Sequence, residues 1–401
     1  MKAAVLNVGN EILIGHTINT NLSIIAKNLA DYGIIIEEQR TIKDDKEIIV
    51  KSFNELLENY EMIIVSGGLG PTADDITTES ISYAINRDTM FNEEIFDKLE
   101  KYFSSKGRFM TDNNRKQAVF PRGCQILENE IGTACGYFLR EGRKWVIVLP
   151  GPPVELEHVL DKFLNHYNAE DIFNIKTINT YGIGESQLED RLRHLEIDEE
   201  FSVNTYSNKM GVDIKIITED WNMEKMDDVV NLISEEFSEY IYDTDSISLS
   251  KSLLDKLLEN NKKIVFAESC TGGHLASFFT DNPGSSKAFL CSLVTYSNEA
   301  KMKELDIKKE TLEKYTAVSE QTANEMLDGL IKKYDVDYYA ISTGFASPTE
   351  DDKTNGLVYI GIYDKENDER KIIKQRYYGS RAQIISRVSN NIFFNIIKLM
   401  D

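Results

Sequence analysis

Two stretches of this 401-residue chain combine glycines with side chains that can do chemistry. The first is the run SGGLGPT at residues 66–72, which directly follows an apolar stretch and is followed by Asp74 and Asp75. Glycines allow positive φ angles, so successive backbone N–H groups can converge on an anion. Carboxylates just beyond such a loop can hold a divalent cation that bridges phosphate oxygens. The run predicts a phosphate site, although a glycine-rich turn with a carboxylate helix cap has the same residues.

The second stretch places Ser269 where a predicted strand, residues 264–267, passes into a predicted helix. A serine at such a junction faces the positive end of the helix, which favours its alkoxide. The amides of Thr271, Gly272 and Gly273 can then form an oxyanion hole for a substrate carbonyl. This turn predicts a nucleophilic serine.

The base that would activate this serine cannot belong to a histidine triad. His274 is the only histidine after position 194, and it lies inside the predicted helix. A lysine is the alternative base when burial lowers its pKa. The run TYSNEAK at residues 295–301 supplies Lys301, together with Tyr296, which could relay the proton.

Other interpretations of these residues remain open. A serine before a helix is also an N-cap, worth about 1 kcal/mol of stability. Tyr296 and Lys301 can lie at a solvated strand end, and Cys270 can replace Ser269 as the nucleophile beside Glu268 and Lys301. Taken one at a time, these residues favour the simpler interpretations. The strand, serine, glycines and helix, combined with a tyrosine and a lysine in an order that resembles a known enzyme family, favour the catalytic interpretation.

The elements that must position these residues follow an alternating pattern. Buried-type strands are predicted at residues 3–8, 62–65 and 145–149, and amphipathic helices lie between them. The predicted helices span residues 20–32, 47–57, 76–85 and 93–103. Strands separated by helices predict a parallel sheet covered on both faces, with ligands beyond the carboxyl ends of the strands.

The pattern changes in the middle of the chain and then returns. We therefore predict three domains: an α/β domain over residues 1–168, a small α+β module over 170–245, and a second α/β domain over 249–401. An acidic linker, DTDS at residues 243–246, precedes the third domain.

The composition excludes several classes of protein. A formal net charge of −22 repels polyanions, so direct binding of nucleic acid is not expected. The four cysteines form no CxxC pair and the five histidines no paired motif, which argues against a structural zinc site. The apolar runs have strand length and the chain starts with a predicted strand, so we expect a cytoplasmic protein without membrane contact.

Motifs along the first half of the chain resemble those of the CinA family. The run at residues 66–72 with Asp74 and Asp75 is similar to a signature of that family. Further blocks stand in the family order: GNE at 9–11, NTN at 19–21, NNRKQA at 113–118, GTA at 132–134, PGPP at 150–153 and YGIGES at 181–186. The N-terminal domain of the family resembles MoaB and MogA, so the resemblance implies a three-layer α/β domain of the molybdopterin-binding type.

The same resemblance implies a nucleotide ligand for this domain. Some family members hydrolyse ADP-ribose with a divalent metal such as Mg²⁺, which here would be held by Asp74 and Asp75. The residues expected to bind phosphate are Asn10, Glu11, Gly67, Gly68, Gly70, Thr72, Asn113 and Arg115. Arg115 would neutralise phosphate charge, as arginines do through paired hydrogen bonds.

Most of residues 250–380 resembles the C-terminal domain of the family, which on its own is the nicotinamide-nucleotide amidase PncC. The family nucleophile, tyrosine and lysine correspond to Ser269, Tyr296 and Lys301. The resemblance implies hydrolysis of the carboxamide of nicotinamide mononucleotide without a metal or other cofactor. It also implies a homodimer, since family members are dimers.

The substrate-binding residues implied by the resemblance include two departures from the family pattern. After Thr343 and Gly344, the chain reads FASPTE at residues 345–350 where the family has a glycine-rich loop. Arg381 matches a family arginine that could bind the substrate phosphate, but Ser380 replaces the preceding aspartate. These departures leave open a nucleotide-binding regulator, or a competence- or DNA-damage-associated interaction protein, with a degenerate amidase site.

Overall fold

The computed structural model describes residues 1–30, 32–167, 174–208, 211–218, 223–244, 248–346 and 354–401. The chain forms two compact units, the first comprising residues 1–175 and the second most of the remaining residues. Within the described ranges, no helix has both the length and the apolar composition needed to cross a membrane.

The first unit alternates strands and helices. Its elements are β1 (Lys2–Val8), α1 (Asn10–Leu13), α2 (Asn21–Ala30), β2 (Ile35–Ile42), α3 (Lys46–Asn59), β3 (Met62–Ser66), α4 (Thr77–Ala84), β4 (Thr89–Phe91), α5 (Glu93–Ser105), a 3₁₀ helix (Asp112–Ala118), β5 (Val119–Pro121), β6 (Gln125–Leu127), β7 (Gly136–Glu141), β8 (Lys144–Leu149) and α6 (Pro153–Leu164).

The main sheet of this unit has the strand order β2-β1-β3-β8-β7-β6. The four strands from β2 to β8 are parallel, whereas β7 and β6 continue the sheet in antiparallel fashion. The expected parallel sheet is therefore mixed. The difference arises because β7 and β8 are joined by a two-residue turn, in which Gly142 has a φ of 64°.

Two hydrophobic cores cover opposite faces of this sheet. Ala4 and Leu6 of β1 pack with α3 and α4, whereas the alternating residues Ala3 and Val5 pack with α2 and α6. Side chains alternate along a strand, so each face of the sheet buries its own set. The result is a three-layer α/β domain, as the sequence predicted.

The second unit begins with a small α+β module. Its elements are β9 (Asn174–Thr180), α7 (Glu185–Leu192), β10 (Ser202–Ser207), β11 (Val212–Thr218), α8 (Met223–Glu236) and β12 (Ile241–Asp243). The sheet order is β10-β11-β9-β12. Apolar residues of both helices and of β9 and β11 form one core.

The rest of the second unit is a second three-layer α/β fold. Its elements are α9 (Leu249–Glu259), β13 (Ile264–Glu268), α10 (His274–Thr280), a 3₁₀ helix (Ser285–Lys287), β14 (Phe289–Val294), α11 (Asn298–Leu305), α12 (Lys309–Tyr315), α13 (Glu320–Lys333), β15 (Tyr338–Gly344), β16 (Leu357–Asp364), β17 (Glu369–Arg376) and α14 (Arg381–Met400). The sheet order is β14-β13-β15-β16-β17, and the first three strands are parallel. Their carboxyl ends therefore meet at one edge.

Candidate active sites

The predicted nucleophile Ser269 follows β13 directly at this edge of the sheet. Its backbone N–H donates to the carbonyl of Ser342 on the neighbouring strand β15, at 2.9 Å. Gly272 and Gly273, with φ of 61° and 98°, turn the chain into α10. Ser269 is 8% exposed, so its hydroxyl is held at a mostly buried position.

Lys301 reaches this serine from α11. Its Nζ lies 2.7 Å from Ser269 Oγ and donates to the carbonyl of Thr295 at 2.8 Å. The side chain is 1% exposed and has no carboxylate partner among these contacts. Burial lowers the pKa of Lys301 to about 8, because the charged ammonium loses its hydration. About a tenth of the lysine is therefore uncharged at pH 7.

A fully buried carboxylate, that of Glu268, closes the first turn of α10. One oxygen accepts from the amides of Gly273 and Leu275 at 2.9 and 3.0 Å. The other accepts from the amide of Ala276 at 3.0 Å and from the hydroxyl of Ser292 at 2.8 Å. The positive helix end that we expected to favour the Ser269 alkoxide is thus occupied by a carboxylate.

The amides at the turn differ from the expected oxyanion hole. The Gly272 amide donates to the carbonyl of Ser269 at 3.2 Å, and the Gly273 amide is taken by Glu268. Of the three expected amides, only that of Thr271 has no acceptor in the described part of the chain, and the Cys270 amide also has none there. Burial raises the pKa of the Cys270 thiol to about 11, which disfavours a thiolate nucleophile.

Tyr296 and Arg381 form a separate pair. Tyr296 is 60% exposed, and its hydroxyl accepts from the Arg381 guanidinium at 3.0 Å. Across the described ranges, no hydrogen bond joins Tyr296 to Ser269 or Lys301. The structure brings the serine and the lysine together but places the tyrosine, which was expected to relay a proton, with the arginine.

The remaining residues expected at this site lie at the end of β15. The Thr343 hydroxyl donates to the carbonyl of Ala317 at 2.6 Å, and Gly344 pairs with Val358 of β16. These residues follow Ser342, whose carbonyl holds the Ser269 amide. Residues 347–350 of the altered loop lie outside the described residues.

The glycine-rich loop of the first unit follows β3. Gly67 and Gly68 have φ of 99° and 68°. A Cβ would lie 2.2 Å from the Val8 carbonyl oxygen at Gly67 and 2.1 Å from Thr77 Oγ1 at Gly68. The Gly67 amide donates to the carbonyl of Leu149 at 3.2 Å. The next three amides, those of residues 68–70, have no acceptor among the described residues and are free to bind an anion.

A cavity of about 480 Å³ lies beside these amides. Its basic residue is Lys116, whose Nζ also donates to the carbonyl of Thr72. Thr78 and Glu79, in the first turn of α4, contribute to the lining, together with apolar side chains that include Phe120. The cavity therefore combines backbone donors, one lysine, the carboxylates of Asp75 and Glu79, and an apolar wall.

Asp74 and Asp75 form a turn rather than a helix cap. The Thr72 amide and hydroxyl donate to Asp75 Oδ2 at 2.8 and 2.6 Å, and the hydroxyl also bonds to Asp74. The hydrogen bond from Thr72 lowers the pKa of Asp74. Helix α4 begins two residues later without a side-chain cap, so the alternative interpretation of these carboxylates as a helix cap is wrong. No group of three or more metal-binding His, Cys, Asp or Glu side chains occurs in the described ranges.

The other residues expected to bind phosphate are spread around the loop. The backbone N–H of Asn10 donates to the Asp44 carboxylate at 2.9 Å. Burial raises the pKa of Asp44, and the charges of Glu11 and Asp74 add to this effect. The field near Glu11 is therefore negative, which does not suit a phosphate.

The basic residue of the cavity is not the one selected from the sequence. The Arg115 guanidinium packs over the ring of Phe91, 4.1 Å from its centroid. Asn113 donates to the carbonyl of Pro71 at 3.2 Å, on the same side as Lys116. These two residues lie in a 3₁₀ helix, where positions i and i+3 share a face, and this periodicity could have identified Lys116.

Three family models match successive parts of the chain. They are described as a probable molybdopterin binding domain at residues 4–169, a damage-inducible protein CinA KH domain at 175–242, and a CinA C-terminal domain at 246–400. Two relatives, from Acetivibrio thermocellus and Clostridioides difficile, are named as competence-damage inducible proteins. Each is 37% identical and covers 98% of this chain and 97% of its own length.

The chain belongs to the CinA family. Among solved structures, a CinA protein with unknown function from Thermoplasma acidophilum is 36% identical, covers 41% of this chain and 98% of its own, and has a TM-score of 0.39. A competence or damage-inducible protein from Enterobacter asburiae is 28% identical, covers 38% and 96%, and has a TM-score of 0.36. In this CinA chain, Ser269 and Lys301 lie within the CinA C-terminal domain.

Proposed function

We propose that the C-terminal domain is a serine amidase in which Lys301 activates Ser269. The observation that carries this proposal is the distance of 2.7 Å between Lys301 Nζ and Ser269 Oγ, at a lysine that is almost fully buried. A base must lie within hydrogen-bond reach of the proton that it removes, and its pKa should be close to the working pH. With a pKa of about 8, Lys301 meets both conditions.

The reaction follows from this pair of residues. Uncharged Lys301 accepts the Ser269 hydroxyl proton while the serine oxygen attacks the carboxamide carbon. The resulting ammonium still donates to the Thr295 carbonyl, and it returns the proton to the leaving nitrogen, which departs as ammonia. Water, deprotonated by the same lysine, then hydrolyses the acyl-enzyme to the carboxylic acid.

The substrate that we propose is nicotinamide mononucleotide, by similarity to the amidase family. Its phosphate would meet Arg381, an exposed cation whose guanidinium is oriented by the Tyr296 hydroxyl. In this assignment Tyr296 binds substrate rather than transferring the proton. A regulator that binds the nucleotide without turnover is the alternative, and ligand-dependent thermal stabilisation without ammonia release would favour it.

The test is the release of ammonia and nicotinate mononucleotide by the full chain and by Ser269→Ala. The variant should lose activity while its thermal midpoint stays within a few degrees, because Lys301 keeps its hydrogen bond to the Thr295 carbonyl. Ser277→Ala, an exposed serine of the neighbouring helix α10, is the matched control and should keep full activity. Activity retained by Ser269→Ala would exclude this serine as the nucleophile.

We infer a second activity, hydrolysis of the diphosphate of ADP-ribose, for the N-terminal domain. The observation that favours it is the set of open amides at residues 68–70 beside Lys116 and a cavity of about 480 Å³. These donors would bind phosphate oxygens, and the apolar wall would hold a nucleoside part. Asp74 and Asp75 converge on the Thr72 hydroxyl and would hold Mg²⁺ through one or two carboxylates, as is usual for this ion. When bound, the ion supplies Lewis-acid stabilisation of phosphate charge.

The test for this activity is incubation with ADP-ribose and Mg²⁺. Release of AMP and ribose phosphate supports the inference, and no release at saturating metal would contradict it. Asp74→Asn should raise the Mg²⁺ concentration needed for half-maximal rate, since it removes one negatively charged ligand.

A further inference from the structure

We propose, within the amidase function proposed above and resting on it, that the Glu268 carboxylate fixes which backbone amides are left to bind an oxyanion. Glu268 is then a positioning residue for the reaction of Ser269. It need not touch the substrate, because it acts through the turn that follows it.

The first evidence is how completely the carboxylate is used. Glu268 is fully buried and accepts four hydrogen bonds between 2.8 and 3.0 Å. Three come from the first turn of α10 and one from Ser292 on β14. One side chain thus ties the end of its own strand to the next helix and to the neighbouring strand.

The second evidence is the shape of the turn between Glu268 and α10. Gly272 and Gly273 both have positive φ, which brings the Gly273 amide back to the carboxylate of Glu268. Residues 269 to 271 therefore lie within the loop that this hydrogen bond closes. The two open amides of this loop belong to Cys270 and Thr271, the two residues directly after the nucleophile.

The chemistry of an amidase requires donors at this place. When the serine attacks, the carbonyl oxygen of the substrate becomes an oxyanion, and preorganised backbone N–H groups stabilise it. In hydrolases with a strand–serine–helix turn, the amide after the nucleophile commonly serves in this role. By holding the Gly273, Leu275 and Ala276 amides, Glu268 removes them from competition and fixes the two that remain.

The experiment compares Glu268→Gln with Ser248→Ala in the full chain. Glutamine keeps the size but converts one acceptor oxygen into an NH₂ donor, which faces backbone donors. Ser248→Ala is the control. Ser248 caps the N-terminus of α9, so this variant also loses a helix cap in the same domain, but at a place remote in sequence from the turn. Two rates are measured below the unfolding temperature of every variant: hydrolysis of nicotinamide mononucleotide, and covalent labelling of Ser269 by a fluorophosphonate, located by mass spectrometry.

We expect Glu268→Gln to lower both kcat and the labelling rate about tenfold to a hundredfold, because misplaced oxyanion donors act on the transition state. KM should stay unchanged, as should the pH midpoint of the rate. Lys301 is held by the Thr295 carbonyl, and Thr295 bonds to the backbone carbonyl of Glu268, which the substitution leaves in place. Ser248→Ala should keep both rates. Ser292→Ala removes one of the four hydrogen bonds to the Glu268 carboxylate and should lower kcat by a smaller factor. This variant replaces Glu268→Gln in the test if Glu268→Gln does not fold.

Wild-type rates in folded Glu268→Gln, or an effect on KM alone, would overturn the proposal. If the wild-type chain labels at Ser269 but releases no ammonia, the proposed substrate fails and the labelling ratio alone decides the role of Glu268. If the wild-type chain does not label at Ser269, both proposals fail.

Discussion

The two glycine-bearing turns of this chain look alike in sequence but present different groups to a ligand. Both connect a buried parallel strand to a helix, at residues 67–76 and 269–273. In the first, the strand ends with Ser66, and three successive loop amides stay open. In the second, the strand ends with Glu268, whose carboxylate takes the amides of the helix.

In the functions proposed above, this difference distinguishes the proposed anion site from the proposed nucleophile site. Open amides beside Lys116 suit a ligand that arrives with its charge, such as a phosphate. A turn whose helix end is already neutralised leaves fewer donors, and these suit a charge that develops during a reaction. The two turns therefore differ in the last residue of the strand, Ser66 or Glu268, and in the number of amides that stay open.

Among substitutions that test this comparison, Lys301→Met should have the largest effect on the amidase rate. The variant keeps a buried side chain of similar length but removes the base, so kcat for the amidase should fall by about a thousandfold. ADP-ribose hydrolysis should be unchanged, because the glycine loop lies in the other unit. More than a tenth of the wild-type amidase rate in this variant would show that another base serves Ser269.

The pH dependence of the amidase rate should follow the titration of Lys301. In the proposed mechanism the uncharged form of Lys301 is the active one. Burial lowers its pKa to about 8, so the amidase kcat/KM should rise with pH and level off above 8. Two pH units below this midpoint the rate should be about a hundredfold lower, since only that fraction is uncharged. A profile that falls with rising pH between 6 and 8 would exclude the lysine as a general base.

The next effect concerns the first turn and compares neighbouring basic residues. Lys116→Ala should raise KM for ADP-ribose about tenfold, the usual effect of losing one hydrogen bond to a charged group. Arg115→Ala should change it little, because this guanidinium packs on Phe91. The reverse order would support the assignment made from the sequence.

The smallest effect compares the glycines themselves. Gly68→Ala places a methyl group against Thr77, whereas Gly272→Ala meets no atom within 4 Å. Both residues have positive φ, so each substitution should cost about 1 kcal/mol, and the clash should add about another 1 kcal/mol or more at Gly68. Calorimetry of the full chain should show the larger drop in thermal midpoint for Gly68→Ala. Equal shifts would mean that the first loop can relax.

Much of the fold follows from local patterns in the sequence. The strands around residues 3–8, 62–65, 145–149 and 264–267 are short apolar runs, and the helices between them show amphipathic periodicity. The antiparallel extension by β6 and β7 was not predicted, because no helix separates β6, β7 and β8 and because β6 has only three residues. Fold class is thus set by alternation, whereas the sheet edges depend on tertiary pairing.

The sites were predictable in residue type but not in hydrogen bonding. Ser269 and Lys301 are 32 positions apart, and only the fold shows that their side chains meet. The acceptor of the Gly273 amide is Glu268, and the donor to the Tyr296 hydroxyl is Arg381. Both contacts depend on the folded structure and could not be derived from spacing.

The pH dependence of Ser269 labelling by a fluorophosphonate tests the pairing of serine and lysine most directly. The wild-type rate should rise through a midpoint near 8, and Lys301→Met should label slowly and without this midpoint. Labelling of both proteins with the same pH profile would contradict a base role for Lys301.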